Sequence, residues 1–177
     1  MRMKKNGMSE VKTRKLIFIR HSKAEEQVPG MSDFERSLTA TGKHHSRLMA
    51  QILKAKREDP GNVISSPAFR AIETALIFCR EYDISPDTIQ ISSELYSGLE
   101  PEGFIPFIGK QDNNVHTLTF FGHNPLITEM AAFFAADEPD VLPKTGIFCV
   151  SFEAVRWSDI GPESGMTQYF LTPKSHL

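Results

Sequence analysis

Short apolar runs alternate along the chain with longer segments whose apolar residues recur every three or four positions. The first run, residues 16–19, is aliphatic or aromatic throughout, which is typical of a strand buried on both faces. Further strands are predicted at residues 62–65, 88–91, 117–121, 147–152 and 168–171. Because helical segments separate these strands, the pattern predicts an α/β domain.

The segments between the strands predict four helices, over residues 41–57, 66–82, 104–108 and 125–136. Thr41 would cap the first helix, and Ser66 would cap the second, with Pro67 at its first helical position. The apolar stripe of the first helix consists of Leu48, Ile52 and Ala55. The stripe of the second consists of Phe69, Ile72, Leu76 and Cys79. Both helices are expected to bury these stripes.

Together these elements predict a three-layer α/β/α sandwich with a mixed, mostly parallel central sheet. A chain of 177 residues fits one domain, which we place at residues 15–177 after a basic, disordered tail at residues 1–14. With 40% hydrophobic and 24% charged residues, the composition excludes a chain that is disordered or embedded in a membrane.

The sequence also indicates a cellular location. No apolar run approaches the ~20 residues of a membrane-spanning helix, so no membrane partner is expected. The apolar stretch behind the basic N-terminus is too short for a signal peptide, which predicts a cytoplasmic protein. Cys79 and Cys149 both lie in apolar segments and are expected to be buried and reduced.

Charge is distributed unevenly, although the net charge is only −2. Residues 1–15 contain six lysines or arginines and one glutamate, which leaves 14 basic and 21 acidic residues, a net charge of −7, in residues 16–177. So acidic a domain argues against a nucleic-acid partner, because binding nucleic acid needs a basic face. Any site for an anion must therefore be a local concentration of positive charge.

Three of the predicted strands lead into residues that suit an anion. The first runs into Arg20 and His21, the second precedes a helix with Arg70 in its first turn, and the strand at 117–121 runs into His123. In open α/β sheets, ligands bind beyond the carboxyl ends of the strands, where helix N-termini present free N–H groups. We therefore expect these four side chains to form an oxyanion pocket, for which a phosphoryl group is the fitting ligand.

Each of these residues also has a purely structural interpretation, since an arginine after a strand is commonly a surface charge and a single histidine a structural one. A metal site is not predicted, because the sequence has no His-x-x-x-His, no cysteine pair and no carboxylate cluster at ligand spacing. The neighbours His44 and His45 would point apart on a helix and face solvent.

Five blocks of the sequence carry a family pattern. They are residues 16–25 (LIFIRHSKAE), 33–39 (DFERSLT) with Gly42, 65–70 (SSPAFR) with Glu73 and Thr74, 122–125 (GHNP), and 142–146 (LPKTG). In this order they resemble the histidine phosphatase superfamily and, within it, the small SixA-type phosphohistidine phosphatases. The resemblance implies a phosphoglycerate-mutase-like fold in which His21 is the phosphorylated nucleophile. It further implies that Arg20, Arg70 and His123 complete the phosphate pocket.

The resemblance also suggests outer residues and contains two departures. Gln27 lies six residues after His21, where many relatives place an asparagine that contacts phosphate, and Arg36 lies in a segment that borders the site in relatives. Ser22 stands where the superfamily usually has glycine. Ser97 occupies the position of a carboxylic general acid in many members, an acid that SixA-type members also lack.

The implied activity is that of a metal-independent phosphohydrolase, with no cofactor, that acts through a phosphohistidine intermediate on His21. The implied substrate is phosphohistidine on a protein. A phosphatase of a small phosphoester is the alternative enzyme, and a phosphate- or phosphoprotein-binding module without turnover is the alternative from another class. Glu25 and Glu94 are the carboxylates considered as replacements for the missing acid.

Overall fold

The computed structural model describes residues 11–98, 100–137 and 139–175. Its first strand, β1 (Lys12–Arg20), begins before the domain boundary predicted at residue 15. Residues 12–14 pair with residues 152–154 and belong to the sheet, so the predicted tail is too long by these residues. The remaining part of the predicted tail, residues 1–10, lies outside the described residues.

The central sheet contains six strands within the described ranges. After β1 they are β2 (Asn62–Ser65), β3 (Gln90–Ile91), β4 (Thr117–Gly122), β5 (Ile147–Ala154) and β6 (Met166–Leu171). Their order is β3-β2-β4-β1-β5-β6; β3, β2, β4 and β1 are parallel to one another, and β5 is antiparallel to both of its neighbours. The predicted mixed, mostly parallel sheet is confirmed.

Helices cover both faces of this sheet. They are α1 (Ala40–Ala55), α2 (Phe69–Glu81), α3 (Glu94–Ser97), α4 (Phe104–Gly109) and α5 (Leu126–Phe134). Alternate residues of β1 point into the two layers of the core, because successive side chains of a strand face opposite sides. Ile17 and Ile19 lie in the layer with α1 and α2, whereas Leu16 and Phe18 lie in the layer with α4 and α5.

The start and the buried face of α1 differ from the prediction. Its N-cap is Thr39 rather than Thr41, and the Thr39 hydroxyl accepts a hydrogen bond from the Gly42 N–H at 2.9 Å. Of the predicted stripe, two residues are half-buried and Ala55 is exposed. The buried residues are Gly42, Ser46, Met49, Ala50 and Leu53. Glycine is needed at position 42, since a Cβ there would lie 2.1 Å from the Lys23 carbonyl oxygen.

The prediction for α2 is wrong in the same two respects. The helix begins at Phe69 after an Ala68 cap, so Ser66 and Pro67 precede it and do not form its cap and first turn. Phe69 is 44% exposed and Leu76 is 37% exposed. The residues that α2 buries are Arg70, Ala71, Thr74, Ala75, Phe78 and Cys79. Alanines allow the helix to approach the sheet closely, and the large apolar side chains flank that contact.

Both cysteines have the environment that the sequence predicts. Cys79 and Cys149 are free and buried in the layer between the sheet and α1 and α2. Burial raises the pKa of the Cys79 thiol to about 11 and that of the Cys149 thiol to about 12, so both stay protonated near pH 7. No helix within the described ranges is both long enough and apolar enough to cross a bilayer. The cytoplasmic location and the expected lack of membrane and nucleic-acid partners stay predictions.

Candidate active site

Three neighbouring strand ends form one edge of the sheet. The carboxyl ends of β2, β4 and β1 lie side by side, with Arg20 level with Gly122. The backbone N–H of His21 donates to the Gly122 carbonyl oxygen at 2.9 Å, and that of Ser66 donates to the Phe121 carbonyl oxygen at 2.9 Å. The three loops that follow the strands therefore start at the same edge, as expected for a ligand site of an α/β sheet.

The ring of His21 has a defined proton position. The residue is 8% exposed, and its Nδ1 lies 2.7 Å from the carbonyl oxygen of Ser22. A carbonyl oxygen can only accept a hydrogen bond, so Nδ1 carries the proton. Nε2 consequently keeps its lone pair and is the ring atom available to attack an electrophile.

His123 lies next to this ring, with the two ring centroids 4.9 Å apart. Its Nε2 lies 2.8 Å from the Ser66 hydroxyl oxygen. Its Nδ1 is buried and has no hydrogen-bond partner among the described residues. A buried polar atom without a partner calls for an explanation, and at this sheet edge a bound ligand supplies one.

Both histidines are held in the neutral form. Burial, followed by the effects of His123 and of the two arginines, lowers the pKa of His21 to about 3, although the Ser22 hydrogen bond opposes this shift. Burial and the positive charges of Arg70 and Arg20 lower the pKa of His123 to about 4. Desolvation and nearby positive charge both disfavour a protonated imidazole, so the two rings are uncharged near pH 7.

The positive charge of the pocket comes from two arginines. Arg20 donates from Nη1 to the Leu142 carbonyl oxygen at 3.0 Å, and its buried Nε lacks a partner within the described part of the chain. Arg70, whose side chain is 7% exposed, donates from Nη2 to Oδ2 of Asp33 at 2.8 Å and from Nη1 to the Asp33 carbonyl oxygen. These two bonds fix the plane of the Arg70 guanidinium. The four predicted residues thus combine two cations with a neutral ring whose Nε2 is unprotonated.

A known protein family matches the part of the sequence that contains three of the four pocket residues. The model of the histidine phosphatase superfamily (branch 1) matches residues 16–101, a segment that includes Arg20, His21 and Arg70. This segment of the chain is similar to the histidine phosphatase superfamily. His123 lies beyond the matched segment, and the fold brings its ring beside that of His21. No curated protein matches the chain by sequence.

Solved structures with the same fold include three SixA proteins. A protein described as the phosphohistidine phosphatase SixA from Nakamurella multipartitia aligns with a TM-score of 0.75 and 20% identity, over 92% of this chain and 97% of that chain. The corresponding protein from Agrobacterium tumefaciens aligns with a TM-score of 0.72 and 24% identity, over 90% of this chain and 98% of that chain. The protein histidine phosphatase SixA complexed with tungstate aligns with a TM-score of 0.74 and 22% identity, over 91% of this chain and 98% of that chain. These similarities confirm the predicted fold.

The serine that replaces the superfamily's usual glycine is accommodated by hydrogen bonds. The Ser22 hydroxyl donates to the Gly42 carbonyl oxygen at 2.8 Å and accepts from the Thr145 hydroxyl at 2.7 Å. The Ser22 backbone N–H donates to the Thr74 hydroxyl oxygen at 3.1 Å. The fully buried serine therefore connects the loop after His21 to α1, to α2 and to the loop before β5.

The two outer residues carried over from the family lie at different depths. Gln27 is exposed and donates to a carbonyl oxygen of its own loop at 3.2 Å, and its described contacts include none of the four pocket residues. Arg36 donates to Oδ1 of Asp33 at 2.8 Å and to the Glu25 carbonyl oxygen at 2.7 Å. The Asp33 carboxylate thus lies between Arg36 and Arg70 and forms an ion pair with each. A direct role for Gln27 or Arg36 in phosphate binding stays a prediction.

The carboxylates considered as proton donors do not have the required environment. Ser97, at the family's acid position, donates its hydroxyl to the Ser93 carbonyl oxygen at 3.0 Å. Glu94 accepts a hydrogen bond from the Ser92 hydroxyl at 2.6 Å, which lowers the pKa of its carboxyl group. Such a group is ionised near pH 7 and is poorly suited to donate a proton. Glu25 is exposed on the loop after β1.

A cleft of about 290 Å³, which was not predicted from the sequence, lies beside the pocket. His123 forms part of its lining, together with Tyr96, Glu100 and Glu129. Tyr96 meets the His123 ring edge-on, with centroids 5.7 Å apart. The sequence contains a weak indication that Glu129 lies near the pocket, because it follows His123 by six residues in the first turn of α5. The sequence contains no such indication for Glu100, since a glutamate in a loop is ordinarily a surface charge.

The histidines outside the pocket that the structure describes give no indication of a metal centre. Within the described ranges, no group of three or more His, Cys, Asp or Glu side chains is arranged to hold a metal ion. His44 is exposed as predicted, whereas His45 is half-buried, and their ring centroids are 6.0 Å apart. Among the described residues, Arg20 and Arg70 supply positive charge to the pocket.

Proposed function

We propose that the protein is a phosphatase in which Nε2 of His21 takes a phosphoryl group from the substrate and passes it to water. The hydrogen bond between Nδ1 of His21 and the Ser22 carbonyl oxygen, 2.7 Å long, carries this proposal. It leaves Nε2 unprotonated, and the low pKa of about 3 keeps the ring neutral near pH 7. A neutral imidazole nitrogen of this kind is a competent nucleophile towards phosphorus.

The reaction takes two steps. In the first, a bond forms between Nε2 and phosphorus while the bond from phosphorus to the leaving group breaks, and the leaving group keeps the bonding electrons. In the second, water attacks the same phosphorus, the bond to Nε2 breaks, and orthophosphate leaves after the water has lost a proton to solvent. Arg20 and Arg70 bind the equatorial oxygens through charge-assisted hydrogen bonds and neutralise their charge.

His123 acts as a neutral hydrogen-bond donor to the same phosphoryl group. We assign the ring proton of His123 to Nδ1, so that the Ser66 hydroxyl, 2.8 Å from Nε2, is the donor of the hydrogen bond between them. Nδ1 is the buried atom that has no partner among the described residues, and a phosphoryl oxygen would satisfy it. Ser66 is thus a positioning residue, which sets the tautomer of a histidine that contacts the substrate.

Phosphohistidine on a protein is the proposed substrate. Its imidazole leaving group can be protonated by solvent at the distal ring nitrogen, near the reference pKa of about 6.5, and then departs as a neutral molecule. An alkyl ester must instead expel an alkoxide, which needs an acid that neither Ser97 nor Glu94 supplies. The similarity of the fold to SixA structures gives further support to this substrate class.

The test compares three kinds of substrate with the purified protein. Release of orthophosphate is measured from a phosphohistidine-bearing peptide, from p-nitrophenyl phosphate and from glycerol phosphate, for the wild type, His21→Asn and the control His116→Asn, which alters an exposed histidine. We expect the peptide and the aryl ester to be hydrolysed, and only His21→Asn to abolish the activity. A preference for glycerol phosphate would indicate a phosphatase of small esters. Binding of phosphate without any turnover would indicate a binding module.

A further inference from the structure

The cleft beside His123 has a size suited to one chemical group. We call it the acidic cleft and define it by Tyr96, Glu100, His123, Pro125 and Glu129. Its volume of about 290 Å³ is at the lower limit of the range for small-molecule sites, so it has room for one side chain and not for an extended ligand. His123 contributes to both the cleft and the phosphate pocket, which makes the two spaces continuous.

The charge of the acidic cleft is opposite to that of the phosphate pocket. Among the described residues that line it there is no lysine or arginine, and the two carboxylates are those of Glu100 and Glu129. His123 adds no positive charge near pH 7, because burial and the nearby arginines lower its pKa to about 4. A substrate that spans both spaces therefore meets positive charge at its phosphoryl group and negative charge next to it.

Position identifies which part of the substrate would enter the acidic cleft. In an in-line displacement the leaving group lies opposite the attacking nitrogen, outside the ring of equatorial oxygens. The pocket holds those oxygens, and the cleft opens beside it on the His123 and Tyr96 side. The two rings of these residues, with centroids 5.7 Å apart, form an aromatic wall against which a planar group can stack.

We propose that the acidic cleft is the leaving-group subsite and that Glu100 and Glu129 are specificity-determining residues that select cationic leaving groups. This proposal rests on the proposed phosphatase function. The leaving group that fits is a protonated nitrogen heterocycle, such as the imidazolium form of phosphohistidine. The carboxylates stabilise its positive charge until the bond between phosphorus and nitrogen breaks, whereupon it leaves as neutral imidazole. They also repel phosphoesters whose leaving group carries a carboxylate or a second phosphate.

The size of the effect follows from Coulomb's law. Two unit charges about 6 Å apart, in surroundings with an effective dielectric constant between about 40 and about 80, change a rate or binding constant by about threefold to tenfold. Removing one carboxylate should lower kcat/KM for a cationic substrate by that factor and raise kcat/KM for an anionic substrate by the same factor. The ratio between the two substrates should then fall by about tenfold to hundredfold.

The experiment uses three aryl phosphates of similar size, with a para trimethylammonium, nitro or carboxylate group. The specificity constant kcat/KM is measured for the wild type, Glu100→Gln and Glu129→Gln, and the cationic-to-anionic ratio is compared between enzymes. Because each substrate is compared with itself, differences in leaving-group reactivity cancel. Glu102→Gln is the control, since it removes an exposed carboxylate two residues from Glu100 that does not line the cleft.

The proposal predicts that the ratio falls by about tenfold to hundredfold in Glu100→Gln and in Glu129→Gln, and stays at the wild-type value in Glu102→Gln. A ratio that is unchanged in the two cleft variants, or that falls equally in Glu102→Gln, would overturn it. In either case hydrolysis of the nitro ester by the wild type, and its loss in His21→Asn, would still support the phosphatase function. If neither the esters nor the phosphohistidine-bearing peptide were hydrolysed, the phosphatase function would be refuted, and the leaving-group role with it.

Discussion

The neutral state of His21 makes the stability of the protein depend on pH. Its pKa is about 3 in the folded chain, whereas an unfolded chain would have the ordinary value of about 6.5. Between these two values the unfolded state binds a proton that the folded state does not. The free energy of unfolding must therefore decrease as the pH falls below about 6.5, and the contribution of His21 is fully present only above that pH.

The size of this contribution can be worked out at pH 5. His21 is 8% exposed, so solvent screens its surroundings little, and a pKa anywhere below about 4 gives the same result. The loss is about 1.5 pH units times 1.36 kcal/mol, or about 2 kcal/mol of unfolding free energy. Substituting His21→Asn removes the titrating group, and with it this part of the pH dependence.

The assay is urea denaturation of the wild type and of His21→Asn, each at about pH 7.5 and about pH 5. Any constant effect of the substitution on packing cancels when each protein is compared with itself at the two pH values. We expect the wild type to lose about 2 kcal/mol more than the variant on acidification. The substitution His116→Asn, at an exposed position, should leave the loss unchanged. Equal losses in the wild type and His21→Asn would refute the view that His21 is buried as a neutral imidazole.

Three further predictions concern activity. Arg70→Ala should lower kcat/KM by about 10²–10³-fold, because it removes charge that binds the transferred group, and wild-type activity in this variant would contradict the pocket. Ser66→Ala should lower kcat about tenfold while reducing stability by only about 1 kcal/mol, the value of one hydrogen bond; an unchanged kcat would show that Ser66 does not position His123. Treatment with EDTA should leave activity intact, since arginines neutralise the phosphoryl group, and a loss restored by a divalent cation would contradict this.

The sheet could be predicted from the sequence because its central strands are buried on both faces. Residues 16–19 are apolar at every position, and all four are fully buried in the structure. The earlier start of β1 could not be predicted, since Lys12 and Arg14 have the composition of a solvated tail. Arg14 is nevertheless 1% exposed, and its guanidinium lies 5.1 Å from the Trp157 ring and donates to the Val115 carbonyl oxygen. Such distant partners leave no local signal.

The predictions of which helix face is buried were wrong for a different reason. An apolar stripe predicts which side of a helix avoids water, but the distance between helix and sheet decides which side chains fit between them. At α2 the close contact takes Ala71 and Ala75, which displaces Phe69 towards solvent. There Phe69 contacts the ring of Phe34, with centroids 5.9 Å apart.

The candidate site could be predicted in part. Arg20 ends a strand, and His21, Arg70 and His123 follow strands, so the connectivity of a parallel sheet alone brings the four to one edge. Glu100 and Glu129 come together only because the turn at residues 101–103 packs against α5, a contact between segments that are distant along the chain. Hydrophobic patterning contains no information about that contact.

The most direct test of the central claim is the detection of phosphate on His21. The purified protein is incubated briefly with a radiolabelled phosphoramidate, denatured under alkaline conditions and analysed by peptide mapping. The account predicts one label that is stable to alkali, labile to acid and located on the peptide that contains His21, and no label in His21→Asn. Hydrolysis of the phosphoramidate with the label on another residue, or undiminished hydrolysis by His21→Asn, would contradict it.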